Sequence, residues 1–156
     1  MIEVGDTVPD LEVALSDGRR LRLGAFSERW CVLYFYPKDN TPGCTLEAQD
    51  FRDHAGPFDA AGADILGVSR DSLKSHQNFC AKHELPFALI SDSDESLCQA
   101  FGVIREKTLY GRKYLGVERS TFLIDPHGRV AASWRGVKVR DHAATVLGRL
   151  RALSSP

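Results

Sequence analysis

Four residues can be read as a chemical unit before any fold is assigned: Thr41-Pro42-Gly43-Cys44. Thr is a favoured helix N-cap and Pro is favoured at the first helical position. On that grammar Thr41 is the cap and Cys44 sits at the third helical position. A cysteine there faces unpaired backbone N–H groups and the positive end of the helix dipole. Both favour the thiolate, which is the nucleophilic form. A thioredoxin-type dithiol needs a second sulfur where Thr41 stands. One sulfur beside a hydroxyl suits a thiolate attacking a small electrophile that the hydroxyl orients.

The elements around this unit follow from apolar patterning. Residues 31–36, Cys-Val-Leu-Tyr-Phe-Tyr, form a continuous β-prone run ended by Pro37, so they read as a buried strand. The helix opening at Pro42 carries Ala48, Phe51 and Ala55 on one face and is expected to stop near Gly56-Pro57. Residues 63–69 read as a second buried strand, completing a βαβ unit. Asp71 or Ser72 can cap a helix running to about His83. A short strand at 87–90 and a helix opening at 93–95 follow. Residues 105–118, rich in Lys, Arg, Gly and Tyr, are expected to form a surface loop. Asp125-Pro-His-Gly128 suits a type I turn between strands at 120–125 and 129–134. Ala143, Val146, Leu147, Leu150 and Leu153 mark a final amphipathic helix. The opening segment reads as irregular, with a short strand at 20–23. A βαβ unit followed by ββα gives an α/β, thioredoxin-like fold, a mixed central sheet flanked by helices.

Composition excludes several function classes. The 156 residues carry 20 Lys+Arg against 21 Asp+Glu, a net charge of -1. That balance points to neither nucleic acid nor an anionic membrane. No secretory signal or membrane span is visible. With no repeat or linker, residues 1–156 are read as a single domain. The cysteines at 31, 44, 80 and 98 include no Cys-x-x-Cys pair, which argues against zinc ribbons. Cys80-x-x-His83 offers two ligands, too few for a closed metal site. Cys31 and Cys98 read as core. The five His show no carboxylate partner and are expected at the solvated surface. Trp30 and Trp134 read as packing residues. The expected protein is cytoplasmic, and near-zero charge without an evident apolar patch favours a monomer.

Residues 36–45, Tyr-Pro-Lys-Asp-Asn-Thr-Pro-Gly-Cys-Thr, together with 119–125, Arg-Ser-Thr-Phe-Leu-Ile-Asp, resemble peroxiredoxins of the bacterioferritin-comigratory, or PrxQ, branch. The resemblance covers approximately residues 4–153. It implies a thiol peroxidase without metal or organic cofactor, acting on hydrogen peroxide and organic hydroperoxides. By the family pattern Cys44 is the nucleophile, Thr41 and Arg119 orient and activate the peroxide, and Pro37 screens the sulfur from water. On single-position grammar Thr41 could equally be only a cap, and Arg119 only a surface ion-pair partner. Many members carry a resolving cysteine five residues after the first, where this chain has Gln49. The subgroup that places it on the helix after the next strand points to Cys80, with thioredoxin or a similar dithiol as reductant. A one-cysteine peroxidase recycled by a small thiol and a non-enzymatic redox-sensing module remain as competing readings.

Overall fold

The computed structural model describes residues 1–23 and 28–154. A seven-stranded mixed sheet runs in the order β2-β1-β5-β4-β3-β8-β9. Its strands are β1 (Glu12–Leu15), β2 (Arg20–Arg22), β3 (Trp30–Phe35), β4 (Ala63–Ser69), β5 (Ala88–Ser91), β8 (Ser120–Ile124) and β9 (Val130–Arg135). A separate hairpin is formed by β6 (Ile104–Leu109) and β7 (Arg112–Val117). The helices are α1 (Pro42–Asp53), α2 (Ala55–Ala60), α3 (Leu73–His83), α4 (Ser96–Ala100) and α5 (His142–Ser154).

The central strand β3 shows why the sheet is buried on both sides. It pairs parallel with β4 and antiparallel with β8. Its side chains alternate between two cores, as a two-residue period requires. Cys31, Leu33 and Phe35 join Phe101 and Phe122 on one face. Val32, Tyr34 and Tyr36 join Cys44, Phe51, Phe79 and Leu150 on the other. The second face is the one that α1, α3 and α5 cover.

The expected βαβ unit is present as β3, α1 and β4, with Trp30 opposite Ala63 and Phe35 opposite Val68. The turn between β8 and β9 is also as read: Gly128 N–H donates to the Asp125 carbonyl at 3.0 Å, with Gly128 at φ +80°. Ser72 caps α3, accepting from Ser75 N–H at 3.1 Å.

Three expectations are corrected. Residues 105–118 are not a loop but the β6–β7 hairpin, turned through Tyr110 and Gly111, both at positive φ. This hairpin exposes Leu109, Tyr110, Tyr114 and Leu115. The opening segment contains a strand, β1, whose Val13 and Leu15 point into the core while Glu12 is exposed. The helix begun at Pro42 ends at Asp53, three residues early, and a new helix carries Gly56-Pro57. Proline has no N–H to donate to residue 53 and its ring crowds that carbonyl, so the break falls one turn before Pro57.

Candidate active site

α1 begins where its sequence requires. Thr41 is extended at φ -93° and ψ 150°, and Pro42 opens the helix. The first ladder bond runs from Thr45 N–H to the Thr41 carbonyl, 2.9 Å. The N–H groups of Gly43 and Cys44 therefore precede the ladder and point out of its N-terminal end. The expected side-chain cap is absent. The Thr41 hydroxyl donates instead to the Lys38 carbonyl at 2.8 Å, which leaves its oxygen lone pairs open toward the turn.

Arg119 reaches this turn from the residue before β8. Its Nη2 lies 3.4 Å from Cys44 Sγ, and its Nη1 donates to Glu47 Oε1 at 2.6 Å. The guanidinium is 15% exposed and Glu47 is 1% exposed. A Cβ at Gly43 would stand 3.1 Å from Arg119 Nη2, so the missing side chain lets the cation lie across the helix end. Pro37 is half-buried directly after the strand. The sequence motif thus brings Cys44, Thr41 and Arg119 to one place.

Glu47 was not singled out from the sequence. It lies one helical turn after Cys44, a lone acid on the otherwise apolar inner face of α1. That mismatch was the available signal. Burial pushes its carboxyl up to about 7, against the opposing pull of Arg119. The short bond to Arg119 favours the carboxylate while burial favours the neutral acid, so the two nearly balance at neutrality. Glu47 Oε2 and the Tyr34 hydroxyl are buried without a hydrogen-bond partner among the described residues.

Cys80 lies on α3 and is half-buried, whereas Cys31, Cys44 and Cys98 are at most 1% exposed. All four cysteines are free thiols. Cys80 Sγ is 3.6 Å from Ser16 Oγ, which itself accepts from Leu89 N–H at 2.9 Å. With that lone pair engaged, the Ser16 hydrogen is free to point at the sulfur. Burial pushes the Cys80 thiol up and the Ser16 bond partly offsets it. Cys80 also lines a cavity of about 740 Å³ with Ser16, Asp17, Arg19 and Phe87. Burial holds the Cys31 and Cys98 thiols far above their ordinary range, with Asp92 adding to the effect at Cys98.

The surface reading of the histidines is overturned at two positions. His142 is 6% exposed and bonds Thr121 Oγ1 at 2.8 Å. His76 is fully buried beside Asp39, with Nδ1 to Oδ2 at 2.8 Å. Asp39, Asp71 and His76 place one potential ligand atom each within 4.8 Å of one another. Hydrogen bonds already engage each of them: His76 Nε2 lies 3.0 Å from the Ile90 carbonyl, Asp39 accepts from Tyr36 and Ser75, and Asp71 accepts from the Asp39 N–H.

Residues 4–133 match the AhpC/TSA family. The chain belongs to that family. Peroxiredoxin Bcp of Xanthomonas campestris pv. campestris is 55% identical over 152 residues, 97% of this chain and 95% of that protein. Peroxiredoxin Bcp of Bacillus subtilis is 48% identical over 153 residues, 98% of each. A solved structure of peroxiredoxin Q from Xanthomonas campestris superposes with a TM-score of 0.92 at 54% identity, covering 99% of this chain and 98% of the other. Membership of the peroxiredoxins makes the chain a peroxidase, with a hydroperoxide as substrate and a thiol as reductant. Its thioredoxin-like sheet is the peroxiredoxin fold. Among the described residues no helix is long and apolar enough to cross a membrane.

Proposed function

We propose that the chain reduces hydrogen peroxide and organic hydroperoxides at Cys44, resolves through Cys80 and is recycled by thioredoxin or a similar dithiol. The observation that carries this reading is the Arg119 contact, one guanidinium nitrogen on the Cys44 sulfur and the other on buried Glu47. A solved structure of the Xanthomonas campestris bacterioferritin comigratory protein, 52% identical with a TM-score of 0.92, concerns that protein's alkyl peroxide reduction activity. That supports organic hydroperoxides as substrates here.

In the first step the Cys44 thiolate attacks the terminal peroxide oxygen. The S–O bond forms as the O–O bond breaks, and the alkoxide or hydroxide leaves and takes a proton. Cys44 becomes a sulfenic acid. Charge grows on the leaving oxygen, so donors already aimed there lower the barrier. Arg119 supplies a permanent charge. The Gly43 and Cys44 N–H groups supply dipoles. Thr41, with its hydrogen on Lys38, accepts from the protonated peroxide oxygen. Pro37 shields the sulfur from water.

In the second step the Cys80 thiolate attacks the Cys44 sulfenic sulfur. The S–S bond forms and hydroxide leaves as water. A dithiol then returns two electrons and is itself oxidised to a disulfide. A bridge needs Cα atoms within about 7 Å, and Cys44 and Cys80 belong to different helices. In this reading the Cys44 turn, part of α3, or both open locally before the sulfurs join. Residues 1–156 act in this reading as one domain.

The test is steady-state peroxide consumption with thioredoxin, wild type against Cys44→Ser, with peptide mapping after one equivalent of peroxide. Sustained turnover with a 44–80 linkage is expected. A one-cysteine peroxidase would form no internal disulfide and would turn over with a small thiol. A redox-sensing module would not turn over at all.

A further inference from the structure

His76 sits one helical turn before Cys80 on the inner side of α3, and its side chain has no exposure. Its Nε2 faces a carbonyl, Ile90 on β5, which can only accept. Its Nδ1 faces the Asp39 carboxylate. Both ring nitrogens are thus engaged inside the protein, one by a carboxylate and one by a carbonyl. Ser69 Oγ at the end of β4 and the Tyr36 hydroxyl at the end of β3 approach the ring at 3.5 and 3.4 Å.

Asp39 is held just as fully. It accepts from the Tyr36 hydroxyl at 2.6 Å and from Ser75 Oγ at 2.8 Å, and its own N–H donates to Asp71 Oδ2 at 2.9 Å. Burial pushes its carboxyl up, but His76, Tyr36 and Ser75 together bring it below the usual carboxylate range. Asp39 lies two residues before Thr41, in the turn that delivers Cys44. One buried hydrogen-bonded pair therefore fastens the Cys44 turn to the helix that carries Cys80.

A buried hydrogen bond adds modest net stability, yet losing one partner is costly because the other is left buried and unsatisfied. Apolar packing would let either segment loosen by itself. The buried pair does not, because neither polar group can stay inside without the other.

We infer that Asp39 and His76 are positioning residues that make the opening of the Cys44 turn and of α3 a single event, and so set the rate of the Cys44–Cys80 disulfide. The inference rests on the resolving role of Cys80 proposed above. With the pair intact, Cys44 stays under Arg119 and is set to attack peroxide. With the pair broken, both sulfurs are released together. Weakening it moves the two half-reactions in opposite directions.

The decisive variant is Asp39→Asn, which keeps the shape and removes the charge. Disulfide formation, followed by rapid quench and mass spectrometry, should accelerate about tenfold, while peroxide attack by stopped flow slows about threefold. Hydrogen exchange of the reduced variant should rise by one common factor in residues 42–47 and 73–83, with α5 unchanged as the marker of global stability. Faster exchange in 73–83 alone, or both half-reactions slowing together, would overturn the inference. If Asp39→Asn does not fold, Ser75→Ala removes one bond to the carboxylate and should shift the same readings in the same directions by about threefold. The exchange measurement repeated in Cys80→Ser needs no disulfide. Common opening there, with no 44–80 linkage in the wild type, would retain the latch and reject Cys80 as the resolving residue. A linkage without common opening would do the reverse.

Discussion

Cys44 and Cys80 ride on helices that touch, α1 giving Arg52 Nη1 to the His83 carbonyl of α3 at 3.0 Å, yet their surroundings make opposite demands on a sulfur. Cys44 is buried at a helix N-terminus with a guanidinium on it. Cys80 is half-exposed in the body of a helix, beside a cavity, with only a serine hydroxyl for company. The first setting stabilises negative charge without water. The second opposes charge mildly and leaves the sulfur free to move. Cys31 and Cys98 complete the series: burial raises both thiols, and at Cys98 the opposing pull of Arg70 does not offset it. Burial alone does not make a nucleophile. The cation does, and lighter burial makes a partner.

The sharpest way to break this contrast is Cys80→Ser. It should consume one equivalent of peroxide per Cys44, then stop turning over with thioredoxin, and at high peroxide its Cys44 should reach sulfinic acid. Intact protein mass after graded peroxide reads all three. Undiminished turnover would leave Cys80 an ordinary surface thiol.

Arg119→Ala should bring Cys44 toward the behaviour of the other buried cysteines. Loss of one preorganised donor costs on the order of 10²–10³ in rate. Stopped-flow reaction of the reduced variant with peroxide measures it, and a rate within about threefold of wild type would remove the cation from the account.

Glu47→Gln probes the support behind that cation. The folded carboxyl stands at about 7, raised from 4.5, with burial as the leading cause. A raised pKa means the folded state holds its proton longer than the unfolded state. The associated stability is complete below the unfolded value and is lost as pH rises through about 7. Relative to Glu47→Gln, wild type should therefore lose on the order of 1–3 kcal/mol between about pH 5 and about pH 8. Urea unfolding of both reduced proteins at the two pH values checks this. Parallel pH dependence would mean Glu47 stays ionised throughout.

The smallest effect belongs to Ser16→Ala. Without its hydroxyl the Cys80 thiol should ionise at higher pH, and alkylation of Cys80 near neutrality should slow about threefold. Ser16→Thr, which keeps the hydroxyl, should restore it. An unchanged rate in the alanine variant would remove the Ser16 hydroxyl from the influences on Cys80 and leave burial with the Asp39 and Asp17 charges.

What could be read from the sequence divides along physical lines. The β3–α1–β4 unit, the Asp125 turn and the placing of Cys44 are governed by neighbours in the chain, through caps, turn residues and apolar runs. Arg119 came through likeness to a family rather than through local pattern. The β6–β7 hairpin escaped because its residues are mostly exposed on both faces, so no alternation of apolar residues marks it. Its one local sign was Tyr110-Gly111, a two-residue turn at positive φ. The Asp39–His76 pair spans 37 residues and has no local sign at all. A histidine that will be buried and one that will be solvated look alike until the sheet brings their partners.

Cys44 and Arg119 are separated by 75 residues, and the arginine arrives only when β8 pairs with β3 along Phe35 and Ser120. This gives the chain an order of events during its synthesis. A growing chain that has passed residue 69 but not 119 holds a complete βαβ segment without Arg119 for its thiol. Such a chain should react with peroxide no faster than an unstructured cysteine peptide, and peroxide stress should spare unfinished copies. A fragment ending before Arg119, alkylated beside the full chain, would report whether reactivity waits for the last third of the protein. Late, non-local pairing is a slow step in folding; here it also keeps the oxidisable residue quiet until the partners that control it have been made.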